Sequence, residues 1–131
     1  MKAIPVLALV LIVVACAAPR PHTPVRDVAY SAIGAEPFWL LSIGDDRIVL
    51  SRRREGRGGL VEAVYPRTLP REEGGVRRWD SGEGVQVISI EARREECRNA
   101  TGPVYEDRVR VRLSGVELHG CGGRIVGEGH G

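Results

Sequence analysis

The chain has 131 residues, with 19 lysines and arginines against 17 aspartates and glutamates, and a formal net charge of +2. This length suits one domain with a modest core rather than two. Acids and bases are interspersed, as in Arg71-Glu72-Glu73 and Arg93-Arg94-Glu95-Glu96, so no single-sign block supplies the footprint that nucleic acid demands, and no nucleic-acid partner is expected.

Lys2 precedes an apolar run from Ile4 to Ala15. The run is shorter than the roughly 20 residues of a membrane-spanning helix, and Arg20 and His22 prevent its extension. A cationic start, a short apolar core and small closing residues form the pattern of a secretory signal peptide over 1–15. A buried core helix is the competing reading, but the run has no polar face and is rich in β-branched residues in its second half. Val13-Val14-Ala15-Cys16 resembles the lipobox of bacterial lipoproteins, with Val13 where that family prefers leucine. A plain signal peptide cut elsewhere is the alternative. The lipobox resemblance implies a diacylglycerol thioether on Cys16 and an acyl group on its new amine. This covalent lipid is the only cofactor expected, and it makes the membrane a partner. Ala17, in place of aspartate, implies an outer-membrane anchor facing the periplasm by the enterobacterial sorting rule. Residues 16–29, with Pro19, Pro21 and Pro24, then read as an acylated cysteine and an extended tether.

A single β domain is expected over 30–126. Phe38–Ile43 and Arg47–Ser51 flank Gly44-Asp45-Asp46 and predict a hairpin. Arg52–Gly59 reads as a loop whose Arg52-Arg53-Arg54 run is a solvated edge before it is an anion site. Leu60–Tyr65 is the next strand, and Pro66–Gly75 a long loop. Val76–Trp79 is short and extended, with a turn at Asp80-Ser81-Gly82. The strand through Val85–Glu91 has apolar residues on both faces, which predicts a central position. Ala92–Asn99 reads as irregular or one helical turn. Arg108–Leu113 alternates cleanly, as a half-buried strand does. Ser114-Gly115 turns it back into Val116–His119. Gly120–Gly123 reads as the end of the ordered part, Arg124–Val126 as a candidate last strand, and 127–131 as a fraying tail. About seven to eight short strands with regular turns predict a small antiparallel barrel or sandwich.

If Cys16 carries lipid, Cys97 and Cys121 remain as an even pair. In an oxidising compartment they predict a disulfide, which would contribute about 3.5 kcal/mol in the chain-entropy model. Two buried free thiols, or a metal pair with His119, are the competing readings. His22 falls in the tether and His130 in the tail, leaving His119 as the one histidine of the domain. No Ser-His-Asp set, HExxH or CxxC is recognisable, so no catalysis and no bound metal are expected.

Three motifs stand out: Gly34-Ala35-Glu36-Pro37-Phe38-Trp39, Cys97-Arg98-Asn99-Ala100-Thr101-Gly102-Pro103-Val104-Tyr105, and Gly120-Cys121-Gly122. Together, over about residues 30–123, they resemble a family of uncharacterised small proteobacterial envelope lipoproteins. Its members open on G-x-E-P-F-W, close on Gly-Cys-Gly, and are sometimes joined to META domains of the heat-shock lipoprotein type. The resemblance implies the envelope address and the Cys97–Cys121 pairing, and no activity. Asn99 stands where such proteins often carry an acid. Thr101-Gly102-Pro103-Val104-Tyr105 is also similar to the Ser-Gly-x-x-Tyr motif of membrane-bound C-type lysozyme inhibitors, with threonine for serine and no lysine for the second basic contact. Lysozyme is the partner this second resemblance implies; a periplasmic protein or ligand is the partner the first one leaves open. Phe38 and Trp39 leave opposite faces of one strand, so one enters the core and the other lies under a loop or in a surface groove, with core packing the leading reading and a ligand platform the competing one. Glu36, Phe38, Trp39, Thr101 and Tyr105 are therefore the candidate binding surface of a non-catalytic envelope lipoprotein.

Overall fold

The structure, a computed structural model, describes residues 27–53 and 58–127 together with Ala3 and Val25. The expected signal peptide, Cys16, most of the tether and the tail after Gly127 lie outside the described residues. Nine strands are described: β1 (Tyr30–Ala35), β2 (Phe38–Ile43), β3 (Arg47–Arg53), β4 (Leu60–Pro66), β5 (Arg71–Glu73), β6 (Val76–Glu83), β7 (Gln86–Cys97), β8 (Val104–Leu113) and β9 (Val116–Gly127). They form one antiparallel sheet in the order β4-β3-β2-β1-β9-β8-β7-β6-β5, curled into a half-barrel. In strand pairing, the two meanders β1–β4 and β5–β9 are thus joined through β1 and β9. That junction is short, with Ala32 opposite Gly122 and Ile33 opposite Cys121. The curl brings β4 towards β6, where the Ser81 hydroxyl donates to the Pro66 carbonyl, but β4 and β5 remain edges.

Strand alternation builds the core. Leu41, Ile43, Ile48, Leu50, Ile88, Ile90, Val109, Val111 and Leu118 turn inward and are buried. Each such side chain contributes about 1.5–3 kcal/mol on burial. Arg108, Arg110 and Arg112 take the outer face of β8, as their alternation with Val109 and Val111 predicts. The expected β8–β9 hairpin and the hairpin at 38–51 form as read.

Several boundaries differ from the sequence reading. Tyr30–Ala35 is a full strand, with register from Tyr30 opposite Ile43 to Ala35 opposite Phe38. The long loop at 66–75 contains the three-residue strand β5. Asp80-Ser81-Gly82 is not a turn but part of β6, because Asp80 and Ser81 are paired across to Ser89 and Ile88. The turn falls instead at Gly84-Val85, and Val85 is 84% exposed. Ala92–Cys97 is neither irregular nor helical: it continues β7, with Arg93 opposite Arg108 and Arg94 opposite Asp107. β7 has a neighbour on each side, as expected, yet only its Ile88, Ile90, Ala92 face is buried. The Gly120–Gly123 run does not end the order, and β9 passes through it to Gly127. The result is one curled sheet of nine described strands rather than two packed sheets.

Cys97 and Cys121 are disulfide-bonded, with Cα atoms 5.4 Å apart and a sequence separation of 24. The free-thiol and metal readings of this pair therefore fall. The bridge skips β8 and ties the end of β7 directly to β9.

Candidate functional site

The three sequence motifs converge on one place, the junction of β1, β2 and β9. The β1–β2 turn contains a cis Glu36–Pro37 peptide. The β1–β2 register places Trp39 directly opposite Gly34. The indole is fully buried, and its Nε1 donates to the His119 carbonyl at 3.1 Å. Gly34 is glycine because a Cβ there would lie 1.9 Å from Trp39 Nε1. Gly120 answers the same ring from β9: its Cβ would stand 2.7 Å from Trp39 Cζ2 and 2.3 Å from the Ile33 carbonyl oxygen. Cys121, between Gly120 and Gly122, points to the opposite face of β9, where Cys97 covers it. Asn99 Nδ2 then donates to the Ile33 carbonyl at 3.1 Å, drawing the β7–β8 loop onto β1. The motif residues are thus a packing node that holds the two meanders together.

This node fixes where the candidate binding residues stand. Trp39 is in the core, with no surface to offer a ligand. Phe38 leaves the other face and is half-buried, while Glu36 is exposed in the turn. Thr101 is exposed in the β7–β8 loop, which Asn99 brings beside the β1–β2 hairpin. Tyr105 is half-buried on β8, opposite Cys97 and Ile125.

A second region was not picked out from the sequence. The half-barrel stays open between β4 and the β6–β7 turn, and two connected grooves occupy that flank. One, of about 590 Å³, runs between Tyr65, Pro66 and Thr68 on one side and Ser81, Glu83 and Gln86 on the other. The other, of about 470 Å³, continues past Tyr65 and Gln86 to Val61, Ala63, Val87 and Leu113, with the core residue Leu50 at its base. Both volumes fall in the range of small-molecule sites. On the β4 side Val61, Ala63 and Tyr65 turn inward but stay only half-covered, and Arg52 and Glu62 add charge to the lining. The Thr68 hydroxyl oxygen is shielded from solvent and has no hydrogen-bond partner among the described residues. The signal in the sequence was β4 itself: Leu60 and Val64 on one phase, Val61, Ala63 and Tyr65 on the other, a strand with apolar residues on both faces.

Two polar clusters complete the picture. Inside the sheet, the Tyr30 hydroxyl donates to Asp107 Oδ2 at 2.8 Å, and Arg94 Nε donates to Asp107 Oδ1 at 3.0 Å. Burial, then the Asp107 hydrogen bond, push the Tyr30 phenol well above its ordinary range. On the outer face, Glu91 accepts from both Arg78 and Arg110. Burial opposes its charge, but the two guanidinium groups outweigh that and hold the carboxyl below its ordinary value. No group of three or more residues suited to holding a metal occurs among the described residues.

No protein-family model, curated protein or solved structure matches this chain.

Proposed function

We propose that this protein is a lipid-anchored, non-catalytic binding module of the bacterial envelope, facing the periplasm from the outer membrane. It takes a small, largely apolar ligand in the open flank of its half-barrel. The observation that carries the binding role is the pair of connected grooves between β4 and the β6–β7 turn. A closed barrel would bury the inner faces of Val61, Ala63 and Tyr65; here they line a cleft with an unpaired hydroxyl at one end. The envelope address is supported by the Cys97–Cys121 disulfide, a bond that persists in oxidising compartments, and by the lipobox-like Val13-Val14-Ala15-Cys16.

The test is a titration of the full chain, in a mild non-ionic detergent below its micelle concentration, with the neutral fluorescent probe N-phenyl-1-naphthylamine. Saturable enhancement is expected, and Ala63→Trp, which fills the groove from β4, should abolish it while leaving the melting transition in place. Enhancement that does not saturate, or that Ala63→Trp leaves intact, would show that the flank is not a binding site. Intact mass of the protein from envelopes tests the anchor: a diacyl and acyl increment on Cys16 is expected, and an unmodified Cys16 overturns the address.

A second reading, inhibition of C-type lysozyme, is favoured by one feature. The β7–β8 loop presents exposed Thr101 while being pinned on its N-terminal side, by Cys97–Cys121 and by Asn99 to Ile33. A pinned, protruding loop loses little entropy on entering an enzyme cleft. Undiminished lysis by the enzyme at micromolar excess of this protein eliminates that reading.

A further inference from the structure

The alternating arginines of β8 share their outer face with Glu91, Arg93 and Glu95 of β7. The register sets Arg93 directly opposite Arg108. Like charges in directly opposed positions, with Cβ atoms about 5 Å apart, repel and weaken a sheet. Neighbouring acids do not neutralise the pair. Glu91 is already engaged by Arg78 and Arg110. Glu95 reaches only Arg108, at 3.5 Å, with both side chains more than half exposed, and such pairs contribute little. Among the described residues Arg93 has no acidic partner. Over this pair lies a depression of about 220 Å³, lined by Glu91, Arg93, Arg108, Arg110 and His119 together with Val76 and Val109.

We propose that Arg93 and Arg108 form a binding site for a phosphate-class oxyanion, beside Arg110, which Glu91 and Glu117 already engage. A guanidinium presents two parallel N–H donors that match two oxygens of a phosphate group. Two such forks facing each other across adjacent strands, with Arg108 held only by its exposed contact to Glu95, hold one doubly charged tetrahedral anion, and that anion removes the repulsion that the empty pair carries. The one carboxylate in the depression, Glu91, is offset by its two arginines, so the local field remains positive. Free inorganic phosphate and the phosphomonoester of a lipid headgroup share this chemistry. The site is separate from the apolar flank, since it lies on the outer face of β7 and β8.

The test uses the full chain in a non-ionic detergent at neutral pH and low salt, titrated calorimetrically with inorganic phosphate and, separately, with glycerol 3-phosphate. Arg93→Gln and Arg108→Gln are each expected to weaken phosphate binding about tenfold or more, the effect of losing one charge-assisted contact. Arg124→Gln is the control, since Arg124 is 89% exposed and approaches only Glu106, at 3.9 Å; it should change binding by less than about twofold. Binding of both ligands points to a headgroup as the source, and binding of inorganic phosphate alone to the free ion; either supports the site. A stability readout accompanies it: without phosphate, Arg93→Gln should melt at or above the wild-type temperature, and phosphate should raise the melting temperature of the wild type but not of this variant. Absence of saturable binding to either ligand, or equal losses in Arg93→Gln and Arg124→Gln, would overturn the proposal.

Discussion

Adding one methyl group at Gly34 tests whether the motif residues form a packing node. The alanine Cβ would stand 1.9 Å from Trp39 Nε1 and 2.5 Å from Cδ1 and Cε2. The ring is rigid, fully buried and hydrogen-bonded to the His119 carbonyl at 3.1 Å, so it cannot swing aside into solvent. Gly34 Cβ meets no other group more closely than this ring, so the clash is specific to one partner. Overpacking of this kind costs about 1–3 kcal/mol, and displacing the indole from its acceptor adds about 1 kcal/mol. The lower entropy of the unfolded alanine chain returns about 0.4–1 kcal/mol. The expected net loss for Gly34→Ala is about 2 kcal/mol, read from urea denaturation followed by tryptophan fluorescence. In a Trp39→Leu background the same alanine should cost less than about 0.5 kcal/mol, because coupled neighbours are not additive. A Gly34→Ala protein as stable as wild type, or a penalty that persists undiminished without the indole, would refute the reasoning.

The disulfide and the buried phenol give two further predictions. Replacing Cys97 and Cys121 together by alanine should lower stability by about 3.5 kcal/mol, the loop-closure contribution, with the loss read from the shift of the urea midpoint; intact mass of the wild type should rise by two hydrogens on reduction. The Tyr30 phenol has a folded-state pKa raised above its ordinary value of 10.0. Its contribution is therefore fully present below pH 10 and is lost as pH rises beyond that value, because the unfolded chain ionises first. Wild-type stability should fall on going above pH 10, and Tyr30→Phe should show a shallower alkaline decline from a lower starting stability; an equally steep decline in that variant would remove Tyr30 as the cause.

The clean alternation of β8 and the turn chemistry at 44–46 and 114–115 were legible because each strand there carries its own pattern. β1 was not, since Tyr-Ser-Ala-Ile-Gly-Ala has small residues at four of its six positions where an apolar run would be expected. Gly34 is small because the Trp39 ring fills the space it leaves, and Ala32 lies against Gly122 of β9, ninety residues away. Gly120-Cys121-Gly122-Gly123 looked like a chain ending for the same reason: Gly122 makes room for Tyr30, Val109 and Ala32, and Gly123, with φ of +78°, carries the bulge opposite Glu106 and Asp107. The charged end of β7 read as irregular because its pairing partners, Arg108 and Asp107, lie across a loop. The motif residues were visible as a group, but whether Trp39 faced core or ligand depended on the strand's phase. The open flank left one local trace, the two apolar faces of β4, but its place arises from where β4 stops relative to β6, which no local pattern encodes.

The central claim, that the flank between β4 and the β6–β7 turn holds a ligand, is tested most directly in the cell. A photo-crosslinking benzoylphenylalanine placed at Ala63, and at Arg124 as a control on β9, would be activated in intact cells and the protein weighed whole. The account predicts an adduct of one defined added mass from position 63 that position 124 does not give. Adducts equal in yield at the two positions, or none at position 63 in a protein that folds normally, would contradict it.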